Sequence, residues 1–198
     1  MEKIREIFRQ EAEAIKNIPV NGYYDDAAEA IFKRVHINMG KVITSGMGKA
    51  GQIAQSIATT LSSTGTPAIF LHPSEAQHGD LGIIQENDIL FVISNSGKTR
   101  EILELLYLKS NLHSDIPVIV ITSDPGSDLA LKADHLLLTG NPPEVCILGL
   151  TPTTSTTVMT VIGDAIVVLL EEKIGFSRQE YAKRHHGGYL GQKSRGES

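Results

Sequence analysis

Only one cysteine, Cys146, occurs in the 198 residues, so no intramolecular disulfide can form and the composition fits a reducing compartment. Basic charge is also scarce. Lys and Arg total 18 against 23 Asp and Glu, a formal net charge of −5. Nucleic acids are bound by clustered Lys and Arg, so no nucleic-acid partner is expected. The opening stretch, MEKIREIFRQEAEAI, has no apolar segment followed by a small-residue cleavage site and does not read as a secretory signal. The longest apolar stretch, Thr157 to Leu170, is broken by Gly163 and Asp164 and reads as too short to cross a bilayer, so no membrane partner is expected. No repeat, long linker or low-complexity block is visible, and no His/Cys spacing resembles a zinc site. What is present is ordinary for a globular protein, with 41% hydrophobic and 21% charged residues. The chain is long enough for one well-buried domain and short for two.

The apolar pattern changes along the chain. Ile4, Ile7, Phe8, Ala12 and Ile15 recur at helical spacing, as do Ala28, Ile31, Phe32 and Val35. Short, continuous apolar runs follow at Lys41–Thr44, Ala68–Leu71, Asp88–Ile93, Pro117–Thr122 and His135–Leu138. Continuity rather than alternation suits strands covered on both faces of a parallel sheet. Helical segments are expected between them at Gly51–Leu61, Thr99–Leu108 and Ser127–Lys132, giving an α/β fold with right-handed crossovers. A long apolar helix is expected from about Thr156 to Lys173 and a short one at Ser177–Ala182, capped by Ser177 with Glu180 three residues on. The glycine-rich stretch from Gly187 to Ser198 reads as loosely held.

Ligands of open parallel sheets bind beyond the carboxyl ends of the strands. Three segments there have unusual composition. Ser45-Gly46-Met47-Gly48-Lys49-Ala50-Gly51 combines glycines for close backbone approach with a cation at a helix start. It also matches GxGxxG, but the second strand ends Leu71-His72-Pro73, without the acidic residue that holds a nucleotide ribose. A Walker A loop is excluded, because no glycine lies five residues before a Gly-Lys-Ser/Thr. Ser94-Asn95-Ser96-Gly97-Lys98-Thr99 places hydroxyls and an amide on a turn before a helix, which suits an anion. The plain alternative is that Ser96 or Thr99 merely caps that helix. The third segment, Thr151 to Thr157, reads equally well as an N-cap with surplus threonines. Among titratable groups, Glu75 and His78 follow the second strand, Glu101 opens a helix, Glu144 follows the fifth strand, and His185 and His186 lie near the end. Singly, each is explained as a surface or capping residue.

As a set, these residues carry a signature. The segments are GMGKAG at Gly46–Gly51, STGTPAIFLHPSEAQHGDLG at Ser63–Gly82, ISNSGKTREI at Ile93–Ile102, CILGLTPTTSTT at Cys146–Thr157, GDA at Gly163–Ala165 and HHGGYLG at His185–Gly191. Together they resemble the sugar isomerase (SIS) domain family and, within it, the arabinose-5-phosphate isomerases. The resemblance implies a three-layer αβα sandwich with a five-stranded parallel sheet in one SIS domain. Residues 1–40 would form N-terminal helices, 41–184 the αβα core, and 185–198 a tail contributing to the site. It implies a cytoplasmic homotetramer interconverting D-ribulose 5-phosphate and D-arabinose 5-phosphate, a step toward Kdo for lipopolysaccharide or capsule, with no cofactor and no metal. Ser94, Asn95, Ser96 and Thr99 would hold the phosphate. Lys49, Glu101, Glu144, His185 and His78 would be the catalytic set, with Glu144 the leading base and Glu101 its competitor. Ser45, Gly46, Gly48, Glu75, Ser155 and Thr156 are expected as further substrate contacts. The sequence departs from the pattern at Ala50, where relatives commonly carry serine, and at His185-His186-Gly187-Gly188, where they carry His-Pro-Gly-Gly. It also stops where many relatives continue into paired cystathionine-β-synthase-type regulatory modules, so inhibition by a pathway product such as CMP-Kdo is expected to act in the sugar site. The rival readings are another SIS-type isomerase, acting on hexulose or heptose phosphates, and a non-catalytic phosphosugar sensor.

Overall fold

The computed structural model describes residues 1–196. All five apolar runs form strands: β1 (Val42–Gly46), β2 (Ala68–Phe70), β3 (Ile89–Ile93), β4 (Val118–Thr122) and β5 (His135–Leu138). Every pairing is parallel, in the order β2-β1-β3-β4-β5. The three central strands are buried along their whole length, while the edge strands β2 and β5 are partly open.

Among the described residues, eight α-helices surround the sheet: α1 (Glu2–Lys16), α2 (Tyr23–Ile31), α3 (Gly48–Ser63), α4 (Pro73–Ala76), α5 (Arg100–Leu112), α6 (Thr154–Lys173), α7 (Arg178–Arg184) and α8 (Gly188–Arg195). Alternate residues of one strand feed two cores. Phe91 and Ile93 join Ile53, Ile57 and Leu61 of α3 and Val158, Ile162 and Ile166 of α6 on one face. Leu90 and Val92 join Ala76 of α4 and Ile102 and Leu105 of α5 on the other. Burying a Leu, Ile or Phe side chain contributes roughly 1.5–3 kcal/mol, so these two layers supply the dominant stabilising term.

Three sequence expectations are corrected. First, α6 is 20 residues long and, by length and composition alone, long and apolar enough to cross a membrane. It nevertheless buries Val158, Met159, Ile162, Ile166, Val167 and Leu170 in the sandwich, which accounts for its apolar character. Second, the segment Ser127–Lys132 forms only a single 3₁₀ turn, Ala130–Lys132. Third, most of the supposedly loose tail is α8. A Cβ on Gly191 would stand 2.3 Å from the His185 carbonyl oxygen, so that glycine serves close packing rather than freedom. Glu197 and Ser198 lie outside the described residues.

Candidate active site

The strand order places the topological switch between β1 and β3, whose last residues Gly46 and Ile93 are register partners. The glycine-rich turn and the Ser94–Thr99 turn therefore leave the sheet side by side. Gly46 and Gly51 let the first turn close tightly: a Cβ on Gly51 would lie 2.6 Å from the Gly46 carbonyl oxygen. The N-cap of α3 is Met47, which supplies no capping side chain. Lys49 is exposed in its first turn, while Ser45 is buried and donates its hydroxyl to Leu71 O at 2.7 Å, tying β1 to the segment after β2.

Thr99 is the N-cap residue of α5, yet its side chain makes no capping bond. Its hydroxyl instead shares a 2.8 Å hydrogen bond with the Ser94 hydroxyl. The Ser96 hydroxyl accepts from the Lys98 N–H at 3.2 Å, a turn internal to the loop. Neither residue is explained as a cap, so the first N–H groups of a 13-residue helix remain for another acceptor. Asn95 Oδ1 is buried without a hydrogen-bond partner. A buried acceptor in that position calls for a donor that the described residues do not supply.

Glu144 lies in the linker between β5 and α6. Its Oε2 accepts from Thr153 N at 2.7 Å, Thr153 Oγ1 at 2.9 Å and Ser155 N at 3.3 Å, capping α6 from outside the helix. Burial pushes this carboxyl upward, but the Ser155 and Thr153 hydrogen bonds outweigh it and hold Glu144 below its ordinary value. Ser155 is buried, and the Thr156 hydroxyl donates to Thr153 O at 2.6 Å. Glu101 sits half-buried in the first turn of α5. Glu75 lies in α4, and His78 follows that helix, which is tied to α5 by the Gln77–Glu104 hydrogen bond of 2.7 Å. Among the described residues Lys49, Glu75, His78 and Glu101 make no side-chain hydrogen bond or ion pair, leaving them available to a ligand.

His185 belongs to a different region. Its ring stacks on Tyr181 with centroids 3.7 Å apart, and Nδ1 lies 3.0 Å from the Tyr181 carbonyl oxygen. A carbonyl can only accept, so Nδ1 carries a proton and Nε2 is the ring nitrogen left without a partner in this contact. The neighbouring Arg184 lines a groove with Gln55 of α3 and Phe70 of β2, at the sheet edge away from β3. The structure thus sets the turn that leads to Lys49 next to the Ser94–Thr99 turn across the β1/β3 pair, and puts Glu144 at the start of α6 and His185 at the end of α7.

Three contributors were missed from the sequence. Thr122 and Ser123 at the end of β4 both donate hydroxyls to Asn95 O, at 3.0 and 2.7 Å. Ser127 packs so closely on Gly97 that a Cβ there would meet Ser127 Oγ at 2.0 Å. The signal was the Thr-Ser-Asp run closing the fourth apolar stretch, the same strand-end polarity that drew attention to Ser94–Thr99.

The profile of the SIS domain family matches residues 37–169. Arabinose 5-phosphate isomerase KdsD of Yersinia pestis is 48% identical over 174 residues, covering 88% of this chain and 51% of that protein. KdsD of Francisella tularensis is 43% identical over 190 residues, covering 95% and 57%. The chain therefore spans about half the length of these curated relatives. Among solved structures, a proposed phosphosugar isomerase involved in capsule formation from Bacteroides fragilis NCTC 9343 superposes with a TM-score of 0.94 at 61% identity, over 95% of this chain and 98% of that one. The Escherichia coli CFT073 protein c3406, solved in complex with arabinose 5-phosphate, gives a TM-score of 0.82 at 35% identity, over 92% and 95%.

Proposed function

The chain belongs to the SIS-domain family, and on that premise we propose that it is an isomerase interconverting D-ribulose 5-phosphate and D-arabinose 5-phosphate. The observation that carries this reading is the uncapped start of α5, ringed by Ser94, Asn95, Ser96 and Thr99 beside the β1/β3 switch point. A phosphate ester suits that position, since the helix offers N–H donors and the positive end of its dipole. The KdsD relatives and the ligand of the Escherichia coli complex support arabinose 5-phosphate as the sugar.

The chemistry asked of the site is a proton moved between C1 and C2 through an enediol. Phosphate binding supplies remote energy that positions the two carbons. Glu144 takes the carbon-bound proton in this reading; its depressed pKa keeps it ionised at neutral pH. Glu101 is the competing base. His185 or His78 moves protons between the sugar oxygens, and Lys49 stabilises the enediolate oxygen. Proton transfer of this kind calls for no organic cofactor or metal.

We place the protein in the cytoplasm as a homotetramer in which His185 serves a neighbouring subunit's site. Ile147, Leu148 and Leu150, 90%, 76% and 78% exposed on the linker just beyond Glu144, support an assembly that covers this region. The product would feed Kdo for capsule or lipopolysaccharide, and a downstream nucleotide sugar such as CMP-Kdo would compete for the sugar site. A coupled assay of the purified chain against a panel of pentose, hexulose and heptose phosphates tests the assignment. Turnover is expected with arabinose 5-phosphate, unchanged by a chelator. Preference for a hexulose or heptose phosphate would reassign the substrate, and saturable binding without turnover would make the protein a sensor.

A further inference from the structure

Three hydrogen bonds converge on one carbonyl inside the Ser94–Thr99 turn. Asn95 O accepts from Ser123 N at 2.9 Å, Ser123 Oγ at 2.7 Å and Thr122 Oγ1 at 3.0 Å. Thr122 is completely buried at the end of β4. One backbone bond would suffice to continue the pairing of β3 with β4, and two hydroxyls have been added to it. A carbonyl with two lone pairs is then saturated.

The consequence follows from the geometry of the peptide bond. In a planar trans peptide the carbonyl of one residue and the N–H of the next point in opposite directions. Anchoring Asn95 C=O on Thr122 and Ser123 therefore turns Ser96 N–H away from β4. Among the described residues this N–H has no backbone acceptor, and Asn95 Oδ1 beside it is also unpartnered. Behind the turn, Gly97 leaves no room for slack, because it lies against Ser127 and its carbonyl oxygen accepts from Leu129 N at 3.2 Å.

We propose that Thr122 and Ser123 are positioning residues for the substrate phosphate: their hydroxyls lock the Asn95–Ser96 peptide so that Ser96 N–H is aimed at a phosphate oxygen. This rests on the phosphosugar reading and deepens it. Neither side chain touches the ligand, and each acts through the peptide plane. Calorimetry with inorganic phosphate on the intact protein, alongside steady-state kinetics, tests it. Thr122→Val and Ser123→Ala are each expected to weaken phosphate binding and raise KM about tenfold, with kcat little altered. Thr122→Ser, which keeps the hydroxyl, is expected to retain the wild-type values. Ser123 is only half-buried and keeps its backbone bond, so Ser123→Ala serves if the valine variant does not fold. Variants that melt lower yet bind phosphate as the wild type does would show a purely structural role and overturn the proposal. A wild-type protein that binds no phosphate would overturn the phosphosugar reading and this inference with it.

Discussion

Glu144 Oε2 stands 2.7 Å from the backbone nitrogen of Thr153 and accepts its hydrogen bond. One oxygen of the leading catalytic candidate is thus committed to the start of α6. That bond fixes the carboxylate's direction, which a base needs, and it also gives the residue a structural task. The two roles separate by substitution. Glu144→Gln preserves an acceptor for α6 but abolishes basicity, and kcat is expected to fall by about 10²–10⁴ while the fold persists. Glu144→Ala also loses the cap, at a cost of about 1 kcal/mol in urea denaturation. Near-normal turnover in the glutamine variant would transfer the base role to Glu101.

The same contacts make stability depend on pH. Hydrogen bonds hold the folded Glu144 carboxyl below its ordinary value of 4.5. A depressed folded pKa means the unfolded chain binds the proton more readily. The stabilisation is therefore fully present above pH 4.5 and is lost as pH falls through the folded value. Urea midpoints of wild type and Glu144→Gln, followed from neutral pH downward, are expected to converge in that acid window. A constant gap between the two curves would mean that the Thr153 and Ser155 contacts do not favour the ionised form.

Much of this architecture is legible in the amino-acid sequence. The buried central strands follow from uninterrupted runs such as Asp88–Ile93, because strands covered on both faces have no polar side to alternate. The Ser94–Thr99 loop was legible because four polar side chains exceed what a cap requires. Thr122 and Ser123 were not, since a hydroxyl bound to a carbonyl 27 or 28 residues away leaves no local pattern. Helix α8 was misread because Gly187, Gly188 and Gly191 suggest mobility in sequence, whereas Gly191 is there to approach the His185 carbonyl. The bounds of α6 are legible to within two residues, since the apolar pattern predicts a helix from about Thr156 to Lys173, but Gly163 and Asp164 look like breaks in its apolar run. Gly163 is in fact buried where a Cβ would meet the Ile57 side chain at 2.4 Å.

The contact between Gly97 and Ser127 supplies another test. Gly97 has φ of +63°, and an added Cβ would lie 2.0 Å from Ser127 Oγ. Gly97→Ala combines left-handed strain of about 1–2 kcal/mol with a steric clash. Lower thermal stability and weaker phosphate binding are expected together, because the clash pushes on the turn itself. Adding Ser127→Gly removes the two nearest obstructing atoms but leaves Thr122 Oγ1 at 3.0 Å and the backbone strain, so recovery should be partial. Full recovery would show that the clash alone was responsible; no recovery would place the strain elsewhere.

His185 and Glu144 are held by different elements, and how the proposed active site brings them together can be tested. His185 is fixed by stacking on Tyr181 and by its bond to the Tyr181 carbonyl, while the adjacent Arg184 borders α3 and β2. Glu144 is fixed at the start of α6. In the proposed mechanism this imidazole transfers protons, yet neither of its ring contacts, both to Tyr181, ties it to Glu144 or to the Ser94–Thr99 turn. If the site it serves belongs to a neighbouring subunit, His185→Gln and Glu144→Gln are each inactive as pure assemblies but complement one another when mixed. Some sites in the mixed assembly then combine an intact Glu144 from one chain with an intact His185 from another. Turnover should appear after subunit exchange, monitored by mass spectrometry of differently tagged chains, and should be absent before it. A mixture that exchanges completely and stays inactive would mean that both residues must come from one chain, and the α7–α8 unit would then have to move onto its own site.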